Sequence, residues 1–207
     1  MIDIYADGAN LEKILELNSN KIIKGFTTNP SLMRQAGVLN YKDFAIKALN
    51  YVPNKPISFE VFADELDEME SQAIEMSSWA ENINIKIPIT NTQGISTVPL
   101  ITKLTQRKIK CNVTAIFTLK QITSILEVVN NHADLILSIF AGRIADTGID
   151  PTNIVKQAVL LSKEYQKIKI LWASTREAIN INQANKVGCH IITVTPEILK
   201  KLDLANK

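Results

Sequence analysis

The chain has 207 residues, of which 46% are hydrophobic and 21% charged, and its 23 basic and 21 acidic side chains leave a formal net charge of +2. A chain of this length buries a large core without staples, and the composition excludes disorder, collagen-like repeats and disulfide scaffolds. The near-balanced charge calls for neither a nucleic acid nor an anionic membrane as partner.

Short apolar runs recur from end to end. In order they are Ile2–Asp7, Ile22–Thr28, Ile57–Phe62, Ile83–Ile89, Cys111–Phe117, Asp134–Phe140, Ile168–Ala173 and Cys189–Val194. Their spacing of roughly 27 residues is near that of one β/α unit. Most are rich in Ile, Val and Phe, as strands covered on both faces are. The stretches between them read as helices. The stretch from Pro30 to Val52 is long, and Gly37 breaks it in two. Ile95, Val98, Ile101 and Leu104 make one helical stripe; Leu119, Ile122, Leu126 and Val129 make another. Asp150-Pro151 reads as an N-cap with Pro at N1, and Ile154, Ala158, Leu161 and Tyr165 as the face behind it. Thr195-Pro196-Glu197 opens a last helix that ends with the chain.

Eight strands alternating with eight helices imply parallel pairing through right-handed crossovers. A doubly wound open sheet meets that pattern. A single closed (β/α)₈ barrel over residues 1–207, with short loops, fits eight regular units better.

Cys111 and Cys189 each sit at the head of an apolar run and read as buried free thiols. No Cys/His cluster has the spacing of a metal site. His132 reads as a surface residue and His190 as structural. No glycine-rich nucleotide loop is present. The N-terminus lacks the pattern of a signal peptide, and no apolar run reaches the roughly 20 residues of a membrane span. The expectation is a soluble, cytoplasmic protein with no metal, no cofactor, no nucleic acid and no membrane partner.

A barrel strand turns one face to the helices and the other inward, and the inner residues at its C-terminal end open on the mouth. In Asn82-Ile83-Asn84-Ile85-Lys86-Ile87-Pro88-Ile89 the isoleucines share one face and Lys86 the other. Desolvation inside a barrel favours the neutral amine, which can attack a carbonyl. Read alone, the strand also fits a half-exposed edge with a solvated Lys86. Other strands repeat the alternation. Glu60 lies between Phe59 and Val61, Asn112 and Thr114 alternate with Val113 and Ala115, Ser138 lies between Leu137 and Ile139, and Asp7 ends the first run. Five strands thus place a polar or ionisable group on the inner face, and together these make a site. Asn29 before Pro30 reads as a helix N-cap, and Ser174-Thr175-Arg176-Glu177 has the form of a capping box. The segment after the seventh strand is also where barrels hold phosphate, and Arg143 with Arg176 would supply two guanidinium groups there.

These same residues carry a family resemblance. Gly25-Phe26-Thr27-Thr28-Asn29-Pro30-Ser31-Leu32 resembles a signature of transaldolases, and Ile85-Lys86-Ile87-Pro88 resembles the segment around their Schiff-base lysine. Segments 111–117, 138–144 and 173–176 are similar to the family as well. The length resembles that of the small branch, which includes fructose-6-phosphate aldolases. The resemblance implies a TIM barrel of the class I aldolase type that works without a cofactor on sugar phosphates, in the pentose phosphate pathway. It implies that Lys86 forms the Schiff base, that Asp7 takes the C4 hydroxyl proton, and that Glu60 and Thr114 manage a catalytic water. Asn29, Asn112 and Ser138 would hold the dihydroxyacetone moiety, and Arg143, Ser174 and Arg176 the phosphate. In that family a glutamate at the Glu60 position and a phenylalanine at the Phe140 position go with transaldolases; glutamine and tyrosine go with the aldolases. A tyrosine hydroxyl can protonate the enamine and release free dihydroxyacetone, and Phe140 has no such proton. The expected activity is therefore dihydroxyacetone transfer. The alternatives are a fructose-6-phosphate aldolase and a non-catalytic sugar-phosphate-binding protein. The resemblance also implies a homo-oligomer, a ring that is often decameric, built with a C-terminal helix longer than the stretch after Thr195-Pro196 here.

Overall fold

The computed structural model describes residues 2–202. Strands β1 (Asp3–Asp7), β2 (Ile23–Thr27), β3 (Ile57–Glu60), β4 (Ile83–Pro88), β5 (Cys111–Ile116), β6 (Leu135–Ile139), β7 (Ile168–Trp172) and β8 (Ile191–Val194) pair in parallel in chain order. β8 pairs back onto β1 and closes the barrel. The ring is uneven. β6 and β7 run together from Leu135–Ile168 to Ile139–Trp172, whereas the β7–β8 ladder is confined to Leu171–Ile191 and Trp172–Ile192 and the β2–β3 ladder to Phe26–Ile57 and Thr27–Ser58.

All eight expected strands form, each within a residue or two of its apolar run. The helices are α1 (Leu11–Asn18), α2 (Pro30–Gln35), α3 (Tyr41–Tyr51), α4 (Leu66–Ser77), α5 (Val98–Gln106), α6 (Leu119–Leu126), α7 (Ala141–Ala145), α8 (Thr152–Leu161), α9 (Ile179–Lys186) and α10 (Pro196–Leu202). Gly37, at φ +71°, separates α2 from α3 as the sequence implies. A second doubling, α7 and α8 after β6, was not expected.

Asparagine side chains start the first three helices. Asn10, Asn29 and Asn40 accept from the amides of Lys13, Leu32 and Asp43. Thr118 and Gln121 form a reciprocal capping box on α6. Other expected ends move. Ile95 lies outside α5 and is 48% exposed, because Asn91 to Ser96 make a turn before the helix begins. The α8 cap is Pro151 rather than Asp150, although the Asp150 carboxylate still accepts the Thr152 amide at 2.9 Å. The sequence there offers two overlapping apolar stripes. The barrel buries Val155, Ala158 and Ser162, leaving Ile154 half-buried and Leu161 exposed.

The two faces of the barrel wall sort as expected. Ile83, Ile85, Ile87 and Ile89 join the outer core against the helices, as do Phe59, Val61, Val113, Leu137 and Ile139. Each fully buried aliphatic or aromatic side chain there contributes about 1.5–3 kcal/mol. Inside the barrel, Tyr5, Ile136, Leu171, Ala173 and Ile191 form a separate apolar layer. The alternation fails at two places: the β1–β2 register shifts between Ile4 and Tyr5, so that Ile23 and Phe26 both join the outer core, and β5 carries a second irregularity. Ala115 adopts φ +57°, and the β5–β6 register shifts between Val113 and Ile116. This extra residue returns Ile116 to the outer core instead of the mouth. Cys111 and Cys189 are buried free thiols. His132 is exposed, and His190 accepts the Ile170 amide on Nδ1 at 2.9 Å, a structural role as expected. Among the described residues no helix is long and apolar enough to cross a membrane.

Candidate active site

A cavity of about 520 Å³ opens at the C-terminal ends of the strands. It gathers every candidate from the sequence: Asp7, Asn29, Glu60, Lys86, Asn112, Thr114, Ser138, Phe140, Arg143, Ser174 and Arg176 all line it.

Lys86 stands at the centre of this set. Its side chain is 9% exposed, and its ammonium lies 3.0 Å from Glu60 Oε2. It also donates to the Thr28 carbonyl at 2.9 Å. Strand register explains the pairing, since Glu60 on β3 and Lys86 on β4 are Cα partners and both point inward. Lys86 is in turn the Cα partner of Asn112 on β5. The solvated-edge reading of this strand does not hold.

Asn112 is clamped from both sides. Its amide donates to Ser58 Oγ at 3.1 Å, and its oxygen accepts from Ser138 Oγ at 2.6 Å. The chain of bonds fixes which way the carboxamide faces. Asp7 Oδ1 accepts from the Thr27 hydroxyl at 2.8 Å, and Thr27 also bonds Thr193. Burial pushes the Asp7 carboxyl above its ordinary range; Lys86 and Thr27 pull it back, and Glu60 adds to the rise. The Thr114 hydroxyl is buried with no protein partner among the described residues. In a site otherwise this well paired, that hydroxyl fits a water or a substrate oxygen.

Asn29 keeps its bland role, because its oxygen accepts the Leu32 amide at 2.9 Å as the α2 cap. It lines the cavity as well, so the two roles coexist. The Ser174 capping box is not formed. α9 starts only at Ile179, and Asn180 Oδ1 instead accepts the Arg176 and Glu177 amides, each at 3.0 Å. Ser174 sits in a loop at φ +59°. Its carbonyl presses on Gly142, where a Cβ would lie 1.6 Å from that oxygen. Only glycine allows this approach, which brings the start of α7 and the loop after β7 together at the rim. Arg143 stacks its guanidinium 5.8 Å from the Phe140 ring centroid, and Phe117 meets the same ring edge-on at 5.8 Å. Arg176 is ion-paired to Asp146 at 2.6 Å.

The sequence reading gave no role to Thr27, Ser58, Thr193 or Asp146. Ser58 and Thr193 carry the signal that marked Glu60, a polar residue between apolar neighbours on a strand. Asp146 carries no such signal, since its partner lies 30 residues away. Among the described residues no group of three His, Cys, Asp or Glu side chains is placed to hold a metal.

Fold and cavity together define a (β/α)₈ barrel with a lysine-centred polar site at its C-terminal mouth. The chain belongs to the transaldolase/fructose-6-phosphate aldolase family, whose model matches residues 4–207. It is similar to a probable transaldolase of Thermoanaerobacter sp. (strain X514), at 34% identity over 96% of this chain and 88% of that one. A probable transaldolase of Methanococcus maripaludis (strain C7) is 32% identical over the same shares of each chain. Among solved structures, KGPDC from Streptococcus mutans superposes with a TM-score of 0.64 at 10% identity, covering 97% of this chain and 90% of that one. That last likeness speaks to the barrel fold alone. The protein is thus an enzyme of the transaldolase family.

Proposed function

We propose that this enzyme is a transaldolase that moves a dihydroxyacetone unit through an imine on Lys86. The donor is a ketose phosphate such as fructose 6-phosphate or sedoheptulose 7-phosphate. The acceptor is an aldose phosphate such as erythrose 4-phosphate or glyceraldehyde 3-phosphate. The observation that carries the reading is the Lys86–Glu60 pair at 3.0 Å, inward-facing at the mouth of the barrel. Glu60 is the group in reach to take the ammonium proton, which frees the amine to attack the ketose carbonyl. The carbinolamine then loses water, and Thr114, with its unpartnered hydroxyl, holds that water.

Asp7 removes the C4 hydroxyl proton. The C3–C4 bond breaks and its electron pair flows into the protonated imine. The aldose phosphate leaves, and the bound three-carbon enamine attacks the incoming aldehyde by the reverse path. Asn112, fixed by Ser58 and Ser138, and Asn29 hold the hydroxyls of the three-carbon unit. Arg143, Ser174 and Arg176 bind the phosphate at the rim. Phe140 covers the site without offering a proton to the enamine. On family grounds the reading extends to a cytoplasmic homo-oligomer acting in pentose phosphate interconversion.

The test is borohydride reduction in the presence of fructose 6-phosphate, followed by peptide mass mapping. A reduced three-carbon adduct on Lys86 is expected. An adduct elsewhere, or none on folded protein, would sink the mechanism and leave a binding protein. Free dihydroxyacetone accumulating without an acceptor would make the enzyme an aldolase instead.

A further inference from the structure

The barrel has a second opening. A cavity of about 570 Å³ enters at the N-terminal ends of the strands, as large as the 520 Å³ cavity at the mouth. The apolar inner layer lies between the two: Tyr5 and Ile136 line the lower cavity, and Leu171 and Ala173 line the mouth. Two polar side chains of the wall are buried and reach the lower cavity. Asn84 is 6% exposed and Tyr5 4%. Among the described residues neither the Asn84 carboxamide nor the Tyr5 hydroxyl has a hydrogen-bond partner, whereas Asn82, two residues earlier, and Asn112 on the next strand are both bonded. The polar atoms of both side chains open onto the cavity and are free to bond what enters it.

The rim supplies charge. Lys55, Lys110, Lys167 and Lys169 line this cavity, and none of them belongs to an ion pair among the described residues. Lys55 and Lys110 are anchored on backbone carbonyls, at 2.6 Å from Asn18 O and 2.8 Å from Glu81 O. Lys167 and Lys169 have no such anchor and remain available. Burial, with a smaller contribution from the Lys24 charge, holds the Lys55 ammonium below its ordinary range. Two carboxylates, Glu81 and Asp134, share the lining, so the ligand must present hydroxyls as well as negative charge.

We propose that this lower cavity is a second binding site, for a small polyol phosphate. Its phosphate meets the ammonium groups of Lys167 and Lys169, and its hydroxyls meet Asn84, Tyr5 and the two carboxylates. The proposal is independent of what Lys86 does, and its test involves no turnover. Titration calorimetry with glycerol 3-phosphate on the Arg143→Ala/Arg176→Ala variant removes the contribution of the mouth. That variant is expected to retain one binding site. Adding Lys167→Ala and Lys169→Ala, both exposed and so tolerated by the fold, is expected to weaken that site at least tenfold. Circular dichroism confirms folding. An arginine variant that binds nothing, or residual binding weakened less than tenfold by the lysine changes, overturns the proposal.

Discussion

Asn112 and Asn84 are inner-face asparagines on neighbouring strands, and the barrel holds them in opposite ways. Asn112, beside Lys86 at the mouth, is locked between Ser58 and Ser138. Asn84 is the Cα partner of Ser58, yet that serine is engaged with Asn112, which leaves Asn84 open to the lower cavity. The mouth is therefore built rigid before substrate arrives, as positioning for bond making requires. The lower end is built of groups waiting for a partner. The difference shows that burial alone does not mark a catalytic polar residue; the bonds that orient it do.

The largest expected break in this comparison lies within β4. Lys86→Ala is expected to lower turnover by roughly 10⁴-fold or more while the barrel still folds, since the outer core is untouched. Asn84→Ala, two residues earlier, is expected to leave turnover within about twofold and stability unchanged or raised, because no bond is lost. Steady-state kinetics and thermal melts on both variants check this. Next comes Gly142→Ala, whose new Cβ must displace the Ser174 carbonyl. It is expected to cost about 1–3 kcal/mol and to raise KM for a phosphorylated donor more than it lowers kcat. Asn112→Ala is expected to lose about 1–3 kcal/mol in urea unfolding, since two buried serine hydroxyls lose their partner, and the contrast with Asn84→Ala is the sharpest test of the comparison.

The pH dependence of Asp7 sharpens the same point. Its folded-state proton affinity is raised, so the folded chain binds that proton more tightly than the unfolded chain. Asp7 then costs no stability below the unfolded pKa of about 3.9 and costs progressively more as pH rises through the folded value. Asp7→Asn is expected to raise Tm at neutral pH, to lose that advantage in acid, and to lose activity. A Tm equal to that of the parent at both pH extremes would show that the mouth carries no stored cost. The smallest effect belongs to Asp146→Ala, which releases Arg176 from an exposed ion pair. Stability should move by less than about 1 kcal/mol, with any change confined to KM for phosphorylated substrates.

Much of this was legible in the chain itself. Isoleucine-rich runs located all eight strands, and polar residues alternating within them located the inner face of the mouth. What escaped has a common cause in contacts distant along the chain. The S-x-x-E of Ser174 to Glu177 is a local cap signal, but the loop is shaped by Gly142 some 30 residues earlier. The Ala115 bulge depends on matching Ile116 to Ile139 on the next strand. The exposure of Leu161 reflects which of two equivalent stripes the barrel wall accepts. Asp146 acquires meaning only when α7 meets the loop after β7.

The short β7–β8 ladder has a consequence for how the closed wall breathes. A hoop of staves gives first at its short joints; the β2–β3 and β7–β8 ladders hold two pairs each, and the second of them runs past Cys189. Its thiol donates to the Ile170 carbonyl across the seam and to the Ile191 carbonyl of its own strand run, whereas Cys111 sits in β5 between longer ladders on both sides. Burial pushes both thiols up to about 12, so neither reacts until the wall parts around it. The two cysteines are thus a pair of built-in clocks. Under native conditions a thiol reagent should reach Cys189 well before Cys111, and the ratio of the two rates reads the opening of one seam against the opening of the whole ring.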